Sequence, residues 1–171
     1  MYNKTEIKKW IKNAAKKTLL FDGELISDNY IVFQVTPEIA QCVTECFLTL
    51  NNISIKDGES LETMPNLKNY TKNALDDIKP LTVTSYYKQF TVNKKEFFCN
   101  VLMGNSEETY IDNKYYNLFD RKEKSEFTKC QLQQKGNGKV NPVIVTKYDE
   151  FVGLILPCRD NSTITYKVTA A

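Results

Sequence analysis

Apolar positions follow helical spacing at the N-terminus and strand-like spacing through most of the second half of the chain. In the first segment, apolar residues recur every three or four positions and lysines occupy another face, a pattern that predicts an amphipathic helix. Asn3 can cap this helix, and Glu6 three residues later completes a capping-box arrangement. The apolar face consists of Ile7, Trp10, Ile11, Ala14 and Thr18.

Short strands alternate with helices between this first helix and residue 80. Asp22-Gly23 is a strong signal for a two-residue hairpin turn. Thr36 and Pro37 supply a cap and a first-turn proline for the next helix. The predicted elements are a hairpin over 19–26, a strand over 30–35, a helix over 37–50, a strand over 53–55 and a helix over 65–78.

From residue 81 onward the pattern is mainly that of strands. In residues 140–159 two apolar runs flank a polar turn, which predicts a β-hairpin. The second run barely alternates, so we expect this strand to be covered on both faces, and Pro157 stops it. Upstream, Asp112 is placed to cap a short helix. The predicted strands are 81–92, 96–103, 126–133, 143–146, 151–156 and 163–168.

These elements predict an α+β fold, a single domain with a mostly antiparallel sheet and short helices, plus the N-terminal amphipathic helix. A chain of 171 residues suits one domain with a real core. We divide it at residue 80 into an N-terminal helical and hairpin half, 1–80, and a β-rich half, 81–171. We expect the two halves to form one compact domain.

Two short motifs in the second half carry a family resemblance. Lys114-Tyr115-Tyr116 lies in the short helix, and the last apolar strand closes on Leu-Pro-Cys-Arg at 156–159. Over residues 81–159 the chain resembles the last domain of the bacterial DNA polymerase sliding clamp, which has a helical Tyr-Leu pair and ends on Met-Pro-Met-Arg. The resemblance implies a clamp-like fold, an apolar pocket for partner peptides and a homo-oligomer able to encircle DNA. The partner-binding residues that it implies are Leu154, Leu156, Pro157 and Arg159.

Charge is distributed unevenly along the chain. The first 20 residues hold six lysines and one acid, whereas residues 21–80 hold four lysines and ten acids. A lysine-rich helix face can bind phosphates, but it can equally be a solvated face that only keeps the protein soluble. The candidate DNA-binding residues are Lys8, Lys9, Lys12 and Lys16.

Two tyrosine pairs provide a further nucleic-acid signal, because aromatic rings stack on bases. At adjacent positions of a strand or helix, however, one ring of each pair is more simply a core residue. The residues concerned are Tyr86-Tyr87 and Tyr115-Tyr116, with Lys88 and Lys114 beside them.

Catalysis is the function class with the least support. The chain has no histidine, so it has no His-based general base. It also has no glycine-rich phosphate loop, and adjacent acids such as Asp76-Asp77 are predicted to point apart into solvent. We therefore predict a protein that is not an enzyme, with no catalytic residue, no cofactor and no metal.

Cysteine usage and hydropathy predict the compartment. The five cysteines are odd in number and scattered, which suits a reducing cytosol, and we expect all five to be reduced. Cys42 and Cys46 lie one helical turn apart, where core packing is favoured over a metal site. No apolar run reaches the length of a membrane span, so we expect a cytoplasmic protein without a membrane partner.

Two binding functions remain open. The first is a clamp-like DNA-replication accessory or scaffold of a phage or low-GC bacterium, which binds partner peptides and for which DNA is a second candidate ligand. The alternative is a small phage or mobile-element protein, similar in role to anti-CRISPR proteins, that inhibits a host nuclease or defence complex by protein binding. In that case the acidic section 21–80 would meet a basic nucleic-acid channel.

Overall fold

The structure is a computed structural model that describes most of both halves of the chain. The predicted strands over 53–55 and 163–168 and the predicted helix over 65–78 lie outside the described residues. The structure describes residues 2–17, 19–21, 24–49, 80–104, 107–119, 130–131, 142–147, 150–159 and 169–170.

The described residues form an α+β fold with an N-terminal amphipathic helix, as predicted. Every strand pairing among them is antiparallel. In this part of the chain, no helix is long and apolar enough to cross a bilayer. In chain order the elements are α1 (Lys4–Ala15), β1 (Leu20–Phe21), β2 (Leu25–Ser27), β3 (Ile31–Gln34), α2 (Pro37–Thr49), β4 (Thr82–Val92), β5 (Lys95–Gly104), β6 (Glu107–Asp112), α3 (Asn113–Tyr116), β7 (Cys130–Gln131), β8 (Val143–Lys147), β9 (Glu150–Ile155) and β10 (Thr169–Ala170).

Helix α1 begins where the capping signal predicts. The Oδ1 atom of Asn3 accepts a hydrogen bond from the Glu6 backbone N–H at 3.3 Å. The Asn3 backbone N–H donates to the carbonyl of Leu118 at 2.8 Å, so a contact with the second half of the chain satisfies this group. Four residues of the predicted apolar face, Ile7, Trp10, Ile11 and Ala14, are buried, and the fifth, Thr18, lies outside the described residues.

The first sheet combines strands from both halves of the chain in the order β1-β2-β3-β9-β8-β7. The two predicted hairpins, β1–β2 and β8–β9, both form, but Phe21 pairs with Ile26, so the β1–β2 connection is longer than the two-residue turn predicted at Asp22-Gly23. Strand β3 pairs with β9, so a strand of the first half is bonded to one of the second half. This pairing brings the turn before β3 beside the end of β9.

Both faces of the first sheet are covered. Ile31 and Phe33 of β3 pack in the main apolar cluster with the buried faces of α1 and α2. Between them Val32 points to the other face, which is buried as well, because Leu154 beside it is also buried. The prediction that β9 is covered on both faces is therefore confirmed. The short helix at residue 113 adds only Tyr115 to this cluster, so α1 and α2 supply most of the helical cover.

Gly153 lies at the centre of the first sheet, opposite Phe33. A Cβ atom on Gly153 would lie 2.6 Å from the carbonyl oxygen of Val32 and 3.2 Å from Cδ1 of Phe33. Only glycine lets the Phe33 ring pack this close to the strand. The rings around Phe33 belong to Tyr2, Trp10 and Phe119, with centroid distances of 5.7, 5.2 and 5.7 Å.

The second sheet has the order β10-β4-β5-β6. Asn93 and Lys94 turn β4 into β5 with φ angles of 51° and 64°, the backbone of a tight hairpin turn. Leu102 of β5 packs into the main cluster, whereas Val101 next to it packs in a smaller cluster on the opposite face. The second sheet therefore also contributes to two apolar layers.

The segment 156–159 connects the two sheets. The backbone N–H of Leu156 donates to the carbonyl of Tyr30 at 2.8 Å. Two residues later the N–H of Cys158 donates to the carbonyl of Tyr110 on β6, also at 2.8 Å. Pro157 between them ends strand β9, as predicted.

Candidate functional site

The four lysines predicted to bind DNA lie on the solvent side of α1. Helical spacing brings Lys8, Lys9, Lys12 and Lys16 together around one open depression of about 450 Å³. Thr5 is also part of its lining. The predicted set is therefore a single surface in three dimensions.

Helix α2 distinguishes Lys8 from the other three lysines, because the acids of α2 lie along the edge of α1 that carries Lys8. The Nζ atom of Lys8 forms an ion pair with Glu45, and Lys4 Nζ lies 3.9 Å from Glu38 Oε1. The hydrogen bond to Glu45 raises the pKa of Lys8, and the same bond lowers the pKa of the Glu45 carboxyl. Lys8 is thus partly neutralised, and the remaining charge of the depression faces away from α2.

A second depression of about 610 Å³ adjoins the first and shares Lys9, Asn13 and Lys16 with it. Its wall includes aromatic side chains, and two further lysines, Lys17 and Lys114, lie at its margin. The lysines that remain outside the α2 ion pairs form one continuous patch, which we call the lysine surface. It consists of Lys9, Lys12, Lys16, Lys17 and Lys114.

Asp28 holds the aromatic wall of this second depression. Its Oδ2 accepts hydrogen bonds from Trp10 Nε1 at 2.8 Å and from the Tyr115 hydroxyl at 3.0 Å. Its Oδ1 accepts from the backbone N–H groups of Tyr30 and Ile31 at 3.0 and 3.1 Å. Burial and the charge of Asp28 raise the pKa of Tyr115, so its hydroxyl remains a donor.

Tyr30 presents an exposed aromatic ring beside the lysines. Its side chain is 60% exposed, and its ring stacks on that of the buried Tyr115 with centroids 6.5 Å apart and planes at 24°. Lys114 Nζ lies 4.5 Å from the centroid of the Tyr115 ring. Tyr115 and Lys114 are candidates from the sequence alone, whereas Tyr30 and Lys17 emerge only in the structure. The turn residues Asp28-Asn29 directly before Tyr30 are the signal from which an exposed ring could have been expected.

The residues predicted to bind a partner peptide are not all brought together. Leu154 is 3% exposed and lies inside the first sheet, paired with Val32 and Ile144. Leu156 is 42% exposed, Pro157 is half-buried and Arg159 is exposed, all in the segment 156–159. Only these last three can touch a partner while the sheet is intact.

The second predicted tyrosine pair lies on β4 of the second sheet, outside both depressions. Lys88 Nζ donates to Glu108 Oε2 at 2.5 Å and to the Tyr110 hydroxyl at 2.6 Å. The hydrogen bond from Lys88 lowers the pKa of the Glu108 carboxyl. Lys88 is therefore engaged in a local network rather than presented to phosphates.

The described cysteine side chains are free thiols. Cys42 and Cys46 are buried on α2, and burial raises the pKa of both. Cys99 on β5 lies with its Sγ 3.2 Å from that of Cys158, and a hydrogen bond between these thiols lowers the pKa of Cys158. The side chain of Cys130 lies outside the described part of the chain.

Comparison of the chain with protein-family models, curated proteins and solved structures finds no match in any of the three. Among the residues that the structure describes, the lysine surface and the aromatic wall next to it carry the chemistry of a candidate binding site. Lysine ammonium groups on flexible stems provide point-charge contacts to phosphate. Exposed aromatic rings provide flat faces on which bases stack.

Proposed function

We propose that this protein is a non-enzymatic nucleic-acid-binding protein, a clamp-like accessory in DNA replication that contacts the phosphate backbone with its lysine surface. The observation that supports this proposal is the continuity of the two depressions. Six lysines line them together, against two acids, Glu6 and Asp28. Asp28 keeps its negative charge, but its two oxygens are directed at four protein donors, and the six lysines outnumber the two acids.

The physical basis of this binding is counterion release. Each lysine that neutralises a phosphate releases condensed cations, so affinity falls linearly with the logarithm of salt concentration, by roughly 0.9 per contact on duplex DNA. Such contacts do not read sequence, because they go to the backbone alone. We therefore expect weak, sequence-independent and strongly salt-dependent binding.

The test compares two pairs of substitutions that remove the same charge from α1. Lys12→Gln with Lys16→Gln removes part of the lysine surface, whereas Lys4→Gln with Lys8→Gln removes lysines already paired with α2 acids. The first pair should reduce the salt slope by up to about 2 units and the second by less than about 1. Binding is measured by fluorescence anisotropy of labelled duplex and single strand at low salt.

Circular dichroism provides the control, since Lys and Gln have similar helix propensities and α1 should remain folded. If the salt slope of binding fell equally in the two variants, net charge alone would be responsible for binding. This result would contradict a defined lysine surface. Failure of the unmodified protein to bind either strand at low salt would remove the nucleic-acid proposal.

The clamp-like part of the proposal is tested by the mass of the particle in solution. A single clamp domain cannot surround DNA, so this role requires a symmetric oligomer. Size-exclusion chromatography with light scattering should give a closed oligomer. A monomer would leave phosphate binding in place but contradict the encircling role, since likeness of fold does not by itself define function.

A second function is favoured by one observation on the surface. The exposed Tyr30 and Leu156 are neighbours, joined by a backbone hydrogen bond, and Pro157 and Arg159 follow. Tyrosine and arginine are enriched in the centres of protein interfaces. A phage inhibitor of a host nuclease or defence complex could use this patch, and a monomer without affinity for nucleic acid would support this function.

A further inference from the structure

We propose that the larger depression takes one unpaired base of single-stranded nucleic acid, which stacks on Tyr30 while the neighbouring phosphates contact Lys16, Lys17 and Lys114. This inference rests on the proposed function, because the lysine surface brings the strand to the depression. It specifies the ligand as single-stranded rather than duplex nucleic acid. It also assigns a role to Tyr30, which phosphate binding by lysines would not need.

Tyr30 is held as a platform. Its backbone N–H donates to Asp28 Oδ1 at 3.0 Å, and its carbonyl accepts from the N–H of Leu156 at 2.8 Å. One face of the ring is stacked on Tyr115, so the exposed area lies on the other face and the edges. A ring ordered before binding loses little conformational entropy when a ligand stacks on it.

The depression combines the two kinds of contact that a nucleotide needs. Its volume of about 610 Å³ is within the range of small-ligand pockets, roughly 300–1,000 Å³. Trp10, Tyr115 and Leu118 belong to its lining but are almost completely buried, so the exposed ring of Tyr30 is the surface for a base, and the lysine margin provides cations for phosphates.

The cations at this margin are available to a phosphate. Lys9 lies 3.9 Å from Glu6, and Lys114 lies 3.6 Å from Asp112, with both lysine side chains well exposed. Exposed pairs of this kind contribute little free energy, so a phosphate can replace the carboxylate at small cost.

Stacking on Tyr30 selects a single strand because a base inside a duplex has no free face. The wall carboxylate, Asp28, already accepts four hydrogen bonds, so it is not free to read the edge of a base. The contact with Tyr30 is therefore expected to tolerate any base, since every base offers a π face.

The experiment separates stacking from phosphate binding by the choice of probe. Labelled oligothymidylate is compared with an abasic oligomer of the same length and charge, long enough to cover a site of roughly 4–16 nucleotides. The unmodified protein should bind the thymidylate at least about fivefold more tightly than the abasic strand. Unlabelled thymidylate should also change the fluorescence of Trp10, the single tryptophan of the chain, which lies in the wall.

Three variants assign the difference to Tyr30. In Tyr30→Leu the preference for thymidylate over the abasic strand should disappear, whereas Tyr30→Phe, which keeps the ring, should retain it. Tyr86→Leu is the matched control, because Tyr86 is also strongly exposed, at 49%, but lies on β4 outside both depressions. This control should retain the preference as well.

Several results would overturn the inference. Equal affinity of the unmodified protein for both strands would exclude stacking, and the phosphate-binding function would stand if both affinities fell with salt. A preference that survives in Tyr30→Leu, or that is lost equally in Tyr86→Leu, would also exclude Tyr30 as the platform. If neither strand bound at low salt, both this inference and the proposed function would fail.

Discussion

The carboxylate of Asp28 organises the candidate site at the scale of single residues. It joins the indole of Trp10 on α1 to the hydroxyl of Tyr115 on α3, and it also caps the turn that presents Tyr30. Hydrogen bonds to a charged acceptor are stronger than those to a neutral one. Asp28 is therefore a positioning residue, since its oxygens hold the wall and are not free for a ligand.

Asp28→Asn should destabilise the protein although it preserves the shape of the side chain. The amide offers one oxygen in place of two, so either the two side-chain donors or the two backbone donors lose their acceptor. We expect the free energy of unfolding to fall by about 2–3 kcal/mol. Urea denaturation followed by Trp10 fluorescence measures this change. Glu6→Gln, at the margin of the same depression, should change stability by less than about 1 kcal/mol, and equal effects would contradict the role of Asp28.

At the scale of elements, the sequence predicted the helix starts and hairpins, because the residues that determine them lie close together in the chain. The Asn3 cap, the Thr36 cap and the two hairpins were all predictable, because each depends on residues within one turn or one pair of strands. The pairing of β3 with β9 was not predictable, since antiparallel apolar strands carry no local mark of their distant partner. The same limit explains why Lys16 could be predicted from the pattern of α1 alone, whereas Tyr30, which belongs to another element but lines the same depression, was missed.

Gly153→Ala and Gly104→Ala make a matched test of the packing between these elements. A Cβ on Gly153 would meet backbone, the Val32 carbonyl oxygen at 2.6 Å, in a central strand that is bonded on both sides. On Gly104 the nearest atom, at 2.5 Å, is the end of the buried Leu81 side chain, which must repack, whereas the nearest backbone atom, the Pro80 carbonyl oxygen, is 3.3 Å away. We expect Gly153→Ala to cost about 1–3 kcal/mol or more and Gly104→Ala clearly less. The shifts of the urea midpoints of the two variants measure this difference in stability. Equal shifts would mean that the backbone around Gly153 adjusts as easily as the Leu81 side chain beside Gly104.

At the scale of the whole molecule, ion pairs link elements that are distant in sequence. Glu45 of α2 pairs with Lys8 of α1, and Glu108 of β6 pairs with Lys88 of β4. In both cases the hydrogen bond from lysine lowers the pKa of the carboxyl below its ordinary value of 4.5. The chain has no histidine, so the change of stability on acidification comes from carboxylates rather than imidazoles, and these two are among them.

The pH dependence of unfolding tests the Glu108 pair. Because the pKa of Glu108 is lower in the folded protein than 4.5, the pair stabilises the protein above that pH, and the stabilisation is lost as the pH falls through the folded pKa. Glu108→Gln should therefore be less stable than the unmodified protein at neutral pH, by no more than about 1 kcal/mol because Glu108 is 40% exposed and screened by solvent. The two free energies should converge as the pH is lowered through the folded pKa of Glu108, which lies below 4.5. Urea titrations at a series of pH values in matched salt provide the measurement, with Glu107→Gln, an exposed neighbour on the same strand, as the control. A difference between Glu108→Gln and the unmodified protein that persists undiminished in acid would show that the loss comes from packing rather than from charge.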